Sequence, residues 1–335
     1  MVLKLAALES LKLAQLKHLA VQCGVNSTGT KAVLSSLLHQ ELSSSQDDLP
    51  PRVKPRTNAV KSSKQTMPER VLSVDMGIRN LAYCVFDLPT PSSKDHTPSI
   101  PSLVAWKRIA ITSRPSRSAD ATLPKESFEP STYAAHAYTL LSGLLLPHKP
   151  SRILIERQRY RSMGSSAVQE WTVRVNMFEG MLHAVLRALA ETDQWRGEVE
   201  SMSPAKVTAF WVGPEAKSVE GGKKGSAKAR SKATKINLVG KWLDGGSVVR
   251  LGTEEARGTA EAFLGKWRGE RRRKVKVKMA KVGEDGEVEG GKEDMGKLDD
   301  LADCLLQGVA WTQWRENRRL VLEHGVAATP EQEPS

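Results

Sequence analysis

Residues 71–87, VLSVDMGIRNLAYCVFD, contain two apolar runs with the β-branched and aromatic content of strands, joined by a tight turn through Gly77. The first run ends on Asp75, where a buried strand is ordinarily apolar. A carboxylate at such a position costs several kcal/mol unless a cation or hydrogen-bond donors meet it. Whatever this chain folds into must therefore bring a partner to Asp75 from elsewhere in the sequence.

The segments that follow suggest which elements could do so. LVAWKRIAI (103–111) reads as a third strand, so the first three strands form an antiparallel meander. Tyr133–Leu146 has helical spacing and Pro147 ends it. SRILIER (151–157) has the short, continuously apolar run of a strand covered on both faces. From about Ser165 to Thr192, Val168, Trp171, Val175, Phe178, Leu182, Val185 and Leu189 recur at spacings of three and four, which is a long amphipathic helix; Trp171 and Phe178 read as core or dimer packing. Glu198–Met202 is a fifth strand, Pro204–Trp211 and Ser231–Leu243 are helices, and KLDDLADCLLQGVAWTQWRE (297–316) has an apolar face of Leu298, Leu301, Ala302, Leu305, Leu306 and Val309.

The order up to Leu243, β-β-β-α-β-α-β-α-α, with crossover-length connections after strand 3, fits an α/β fold with a mixed five-stranded sheet flanked by helices. It resembles the ribonuclease H fold, in which strand 1 is central and strand 4 lies beside it. Polar or charged insertions are expected near 90–130, 213–232 and 265–297, within a main domain spanning 70–320 and followed by a disordered tail, 321–335.

Ahead of that domain, residues 1–42 read as a small helical unit. Leu13, Leu16, Leu19 and Ala20 share one helical face ended by Gly24, and Thr30 caps a second helix bearing Val33, Leu34, Leu37 and Leu38. A Ser, Pro, Lys and Arg-rich stretch, 43–69, is a flexible linker. The helical run LKLAQLKHLAVQCGVNSTGTKAVLSSLL resembles a SAP domain, a DNA-binding module, and that resemblance implies phosphate contacts by Lys17 and by Lys31 at a helix N-terminus.

Charge points the same way. Fifty Lys and Arg against 38 Asp and Glu give a net charge of +12, which favours a polyanionic partner, nucleic acid ahead of a membrane surface. No apolar run is long enough to span a bilayer. Cys23, Cys84 and Cys304 are far apart, without metal-ligand spacing, which fits a reducing compartment without disulfides.

If strands 1 and 4 are parallel neighbours, Asp75 and Glu156 emerge at the same sheet edge. The last helix adds Asp299, Asp300 and Asp303, with Asp303 sharing a face with either of the others. Carboxylates gathered in this way, without His or Cys at metal-ligand spacing, are the ligand set of Mg²⁺ or Mn²⁺. Two such ions about 4 Å apart activate water and stabilise the leaving oxygen of a phosphodiester.

VDMGIRNLAYCVF, ILIERQRYRS and KLDDLADCLLQGVAW, in this order behind a SAP-like unit, resemble the fungal mitochondrial Holliday junction resolvases, relatives of bacterial RuvC. The resemblance implies a homodimer in the mitochondrial matrix that binds four-way DNA junctions and nicks two opposing strands symmetrically with Mg²⁺. It makes Asp75, Glu156, Asp300 and Asp303 the catalytic acids and metal ligands, with Asp299 a substitute or extra ligand in the D-D-x-x-D run. Arg79, Arg157, Arg159, Tyr160 and Arg161 then stand beside the metals as DNA contacts, as do Lys206 and Lys235 near the starts of late helices. Two other readings remain open. DMGIRN also resembles the first phosphate loop of actin-like ATPases, and the fold could serve a DNA-binding protein without catalysis.

Overall fold

The computed structural model describes residues 5–44, 69–89, 100–111, 128–158, 168–213, 227–246, 248–269, 278–282, 288–292 and 298–326. Arg159, Tyr160, Arg161 and most of the three expected insertions lie outside the described residues. The chain divides into two compact units, one comprising 68–204 and 220–308, the other 1–67, 205–219 and 309–335.

The larger unit is built on one mixed sheet in the order β5-β4-β1-β2-β3-β6. Its strands are β1 (Arg70–Asp75), β2 (Leu81–Asp87), β3 (Ser102–Ile109), β4 (Arg152–Glu156), β5 (Glu198–Met202) and β6 (Arg250–Leu251). The first three form the antiparallel meander, and β4 pairs parallel with β1 and with β5. The sheet thus has six strands where five were expected: β6, two residues long, adds in parallel to β3. Two residues are too few to leave a hydropathy pattern.

Alternation along the strands assigns the two faces. Leu72, Val74, Tyr83, Val85, Ile153 and Ile155 belong to a buried cluster with Tyr133, Ala137 and Leu140 of α4 (Pro130–Leu140) and Val175, Phe178, Leu182 and Leu186 of α5 (Glu170–Glu191). The opposite face carries Ser73, Cys84, Phe86 and Trp106, and meets the start of α9 (Leu298–His324) and α8 (Glu254–Trp267). Along the α5 stripe, Trp171 lies at the surface rather than in the sheet core. It is 40% exposed, with the Arg79 guanidinium 5.4 Å from its ring centroid.

Several helices differ from the sequence reading. Helix α7 (Ala227–Gly245) begins inside the insertion expected at 213–232, and α9 continues to His324, into the expected tail. Helix α8 was not anticipated. It starts at an N-cap, Thr253, whose hydroxyl accepts from Ala256 N–H at 3.1 Å, and it buries mainly small residues, Ala256, Thr259, Ala260, Ala262 and Gly265, with Phe263. A hairpin, β7 (Lys278–Val282) with β8 (Val288–Lys292), lies within the 265–297 insertion.

In the smaller unit, α1 (Leu5–Glu9), α2 (Leu13–Gln22) and α3 (Lys31–Ser44) enclose Leu8, Leu16, Leu19, Ala20, Leu34, Leu38 and Leu42, with Val321 of α9. Gly24 follows α2 with φ +67°, a left-handed conformation that favours glycine, and a Cβ there would lie 2.4 Å from the Trp314 ring. Asn317 Nδ2 donates to Gln22 O at 2.8 Å, and Arg318 Nε to Cys23 O at 2.7 Å. Lys17 and Lys31 are exposed on α2 and at the start of α3. Lys206, on α6 (Pro204–Val212), belongs to this unit.

Candidate metal centre and active site

Strand register places the first two carboxylates. In β1 and β4, Leu72 is opposite Ile153, Ser73 opposite Leu154 and Val74 opposite Ile155. The next pair in the same register is Asp75 with Glu156, the last residues of the two strands. In-register parallel neighbours lie about 5 Å apart and point to the same face, so no loop is needed to bring these acids together.

The third acid arrives on α9, which polar contacts fasten across that face. Gln307 Nε2 donates to Ser73 Oγ and Val74 O, both at 3.1 Å, and the Ser73 hydroxyl donates to Cys304 O at 2.9 Å. Trp106 Nε1 donates to Leu301 O at 3.1 Å. Gly308 permits the approach, since a Cβ on it would lie 2.3 Å from Phe86 Cε2. Gln307 is one turn beyond Asp303 on the same helical face, just as Ser73 is two residues before Asp75 on the same strand face. The contacts that hold the helix therefore also set Asp303 near Asp75.

Asp75 pays for this placement electrostatically. Burial pushes its carboxyl well above the usual carboxylate range, and the charge of Glu156, a hydrogen bond shared with Glu156 and the charge of Asp303 push it further. Asp303 is also raised, chiefly by burial, despite Lys235, whose Nζ donates to its Oδ1 at 2.9 Å. Glu156 accepts from Gln158 Nε2 at 3.0 Å and from Met76 N–H at 3.4 Å. The Gln158 backbone N–H in turn donates to Glu179 Oε2 of α5 at 2.8 Å.

The structure therefore brings together Asp75, Glu156 and Asp303. Asp299 forms an ion pair with Lys232, and the Asp300 carboxylate is 3.4 Å from Arg108 Nε of β3. Lys235, expected as a phosphate ligand, pairs with Asp303. Arg157 is exposed just beyond Glu156. Lys232, Arg108, Gln158 and Glu179 were not singled out from sequence. Gln158 lies in the ERQR run beside the expected DNA contacts, whereas Arg108, Lys232 and Glu179 lie in segments read only as a strand and two helices.

The donor set fits a hard divalent cation: oxygen ligands only, mutually repelling and partly buried, at the end of a parallel strand pair. As the side chains stand, among the described residues no three His, Cys, Asp or Glu groups close on a single point, and Lys235 holds the position on Asp303 that a cation would contest.

The chain is similar to known proteins. The chain is 29% identical over 257 residues to the mitochondrial cruciform cutting endonuclease 1 of Schizosaccharomyces pombe, covering 73% of this chain and 78% of that protein. It is 26% identical over 266 residues to the protein of the same name from Saccharomyces cerevisiae, covering 76% of this chain and 70% of the relative. The crystal structure of the yeast mitochondrial Holliday junction resolvase Ydc2 superposes with a TM-score of 0.54 at 25% identity, over 92% of this chain and 95% of that one. The family model described as mitochondrial resolvase Ydc2 / RNA splicing MRS1 matches residues 71–321, and the chain belongs to that family.

Proposed function

We propose that this chain is a structure-selective endodeoxyribonuclease that resolves four-way DNA junctions by paired symmetric nicks, using Mg²⁺ held by Asp75, Glu156 and the acids of α9. The observation that carries the reading is the meeting of Asp75, Glu156 and Asp303, three acids distant in sequence, at one sheet edge of a strongly basic chain. The family description also names an RNA splicing protein, and the meeting of Asp75, Glu156 and Asp303 favours hydrolysis over binding alone. When bound, divalent cations generate a nucleophile from water and neutralise charge on the phosphodiester.

The chain's own residues supply position and charge. Paired strand ends fix Asp75 and Glu156, Gln158 and Met76 N–H orient Glu156, and the Gln307 contacts hold Asp303 in place. Lys232 and Lys235 present cations to an incoming phosphate, and exposed Arg157 extends that surface, with Arg79, Arg159, Tyr160, Arg161 and Lys206 as further DNA contacts. Residues 1–42 act as a SAP-like module that touches DNA through Lys17 and Lys31. A junction has two-fold symmetry, so paired nicks call for two active sites, which a homodimer provides. The relatives named as mitochondrial support the same location here, in the matrix, where organellar DNA lies.

The test is a synthetic four-way junction incubated with the purified chain and Mg²⁺. Symmetrically nicked duplexes are expected, with Asp75→Asn binding the junction and leaving it whole. Wild-type protein that binds the junction and never cuts it would overturn the catalytic reading in favour of a binding protein.

A further inference from the structure

An open groove of about 780 Å³ starts where the acid site ends. Gln158 belongs to both: its side-chain amide holds Glu156, and its backbone is held by Glu179 on the groove wall. Asn176 and His183 of α5, one turn to either side of Glu179 and Gly180, line the same groove with Ser203 opposite, and Met177 gives it an apolar surface. A substitution at Gly180 would meet open space.

The chemistry of these walls suits a nucleobase better than a phosphate. Glu179 repels an anion but accepts N–H groups. Asn176 donates one amide hydrogen to Thr172 O at 2.7 Å, and its amide also carries an acceptor and a second donor, the pairing a base edge uses. Burial lowers the His183 imidazole below its ordinary value, which leaves it neutral near pH 7, with one donor and one acceptor nitrogen; its Nε2 lies 3.4 Å from Ser201 Oγ. Met177 offers the soft apolar surface on which a planar ring can rest. The deoxyribose-phosphate chain would pass exposed Arg157, next to Glu156.

We infer that this groove receives the base of a nucleotide flanking the scissile phosphate, and so determines which sequences within a junction are cut. The inference rests on the nuclease reading above and assigns a task to α5 residues that the acid site does not use.

Cleavage by the full-length chain is measured on four-way junctions that vary the bases flanking the nick, abasic positions included. Wild-type rates should spread on the order of tenfold, the discrimination hydrogen bonds to one base edge supply, and Asn176→Ala and His183→Ala should each compress the spread to about twofold. A second measurement does not need chemistry. Asp75→Asn protein is bound to junctions carrying 2-aminopurine at the same positions, whose fluorescence should change on binding and lose that change when either groove substitution is added. An unaltered base preference together with an indifferent fluorescence signal would overturn the proposal. Groove substitutions that change the oligomeric state and leave base preference intact would assign this face to a second copy of the chain, and would overturn it as well. Junctions left whole by wild-type protein while 2-aminopurine still reports on the groove would count against the nuclease reading alone.

Discussion

Asp75 and Glu156 end neighbouring parallel strands in the same register, and the charge of Glu156 adds to burial in raising the Asp75 carboxyl although both are acids. An arrangement in which one acid must hold a proton for another is costly at neutral pH, and a divalent cation removes the need for that proton.

Replacing Asp75 with Asn should therefore separate activity from stability. Nicking should fall about 10³-fold, the several kcal/mol that charge stabilisation by a bound cation supplies. The metal-free variant should melt at a higher temperature than wild type, because an uncompensated charge has been removed. Mg²⁺ should raise the melting temperature of wild type and leave that of the variant nearly unchanged. Calorimetry with and without Mg²⁺, beside single-turnover cleavage, reads both effects.

The same pair predicts a pH dependence. The folded carboxyls of Asp75 and Asp303 titrate above their unfolded values, so the native state binds protons more tightly than the unfolded chain. Stability without metal should then be highest below the unfolded carboxylate range, about pH 4, and should fall as pH rises towards the folded values. Denaturant titrations across pH should show this slope for wild type and a shallower one for Asp75→Asn. Mg²⁺ binding to wild type should release protons, detectable as a buffer-dependent heat.

Gln158 fixes Glu156 without standing among the acids that surround Asp75. Gln158→Leu should raise the Mg²⁺ concentration needed for half-maximal nicking by about 10- to 100-fold, the usual cost of losing the partner that orients a metal ligand. Glutamate at this position would add a like charge and should not rescue the effect. A Mg²⁺ titration of the cleavage rate is sufficient to decide.

Gly308 lies against Phe86, and a methyl group there would overlap the ring. Gly308→Ala should cost about 1–3 kcal/mol by overpacking. Phe86→Leu in the same chain should recover part of that loss, a non-additivity that chemical denaturation of the four proteins would measure.

Lys17 and Lys31 test the N-terminal module. Each substitution by Gln should weaken junction binding and make the dependence of log K on log salt shallower by about one unit, the signature of one lost phosphate contact. Cleavage at saturating protein should be little affected. Equilibrium binding at several salt concentrations gives the slope directly.

How legible the fold was depended on whether a feature left a hydropathy pattern. Asp75 and Glu156 stood out because each closes an apolar run, and the strand order followed from which runs were short and which were helical. The cations opposite the acids were harder to find. Lys232 and Arg108 look like any surface Lys or Arg until folding brings them to Asp299 and Asp300. Gln307 and Ser73 are buried polar residues whose role exists only as a contact between sequence-distant elements. Helix α8 packs through alanines, a threonine and a glycine, too weakly apolar to mark a face, and β6 borrows its order from β3.

The uninterrupted β1 and β4 carry a consequence for how this chain can vary. A side chain changes sides with every residue along a strand, so losing one residue within Arg152–Glu156 would swing its carboxylate to the face where α4 and α5 sit. All three long polar stretches fall outside these two strands, at 90–130, 213–232 and 265–297. Length can thus be gained or lost in the parts of those stretches outside β3, α7 and α8 without disturbing the spacing of the acids, whereas a single codon deleted inside β4 would dismantle it.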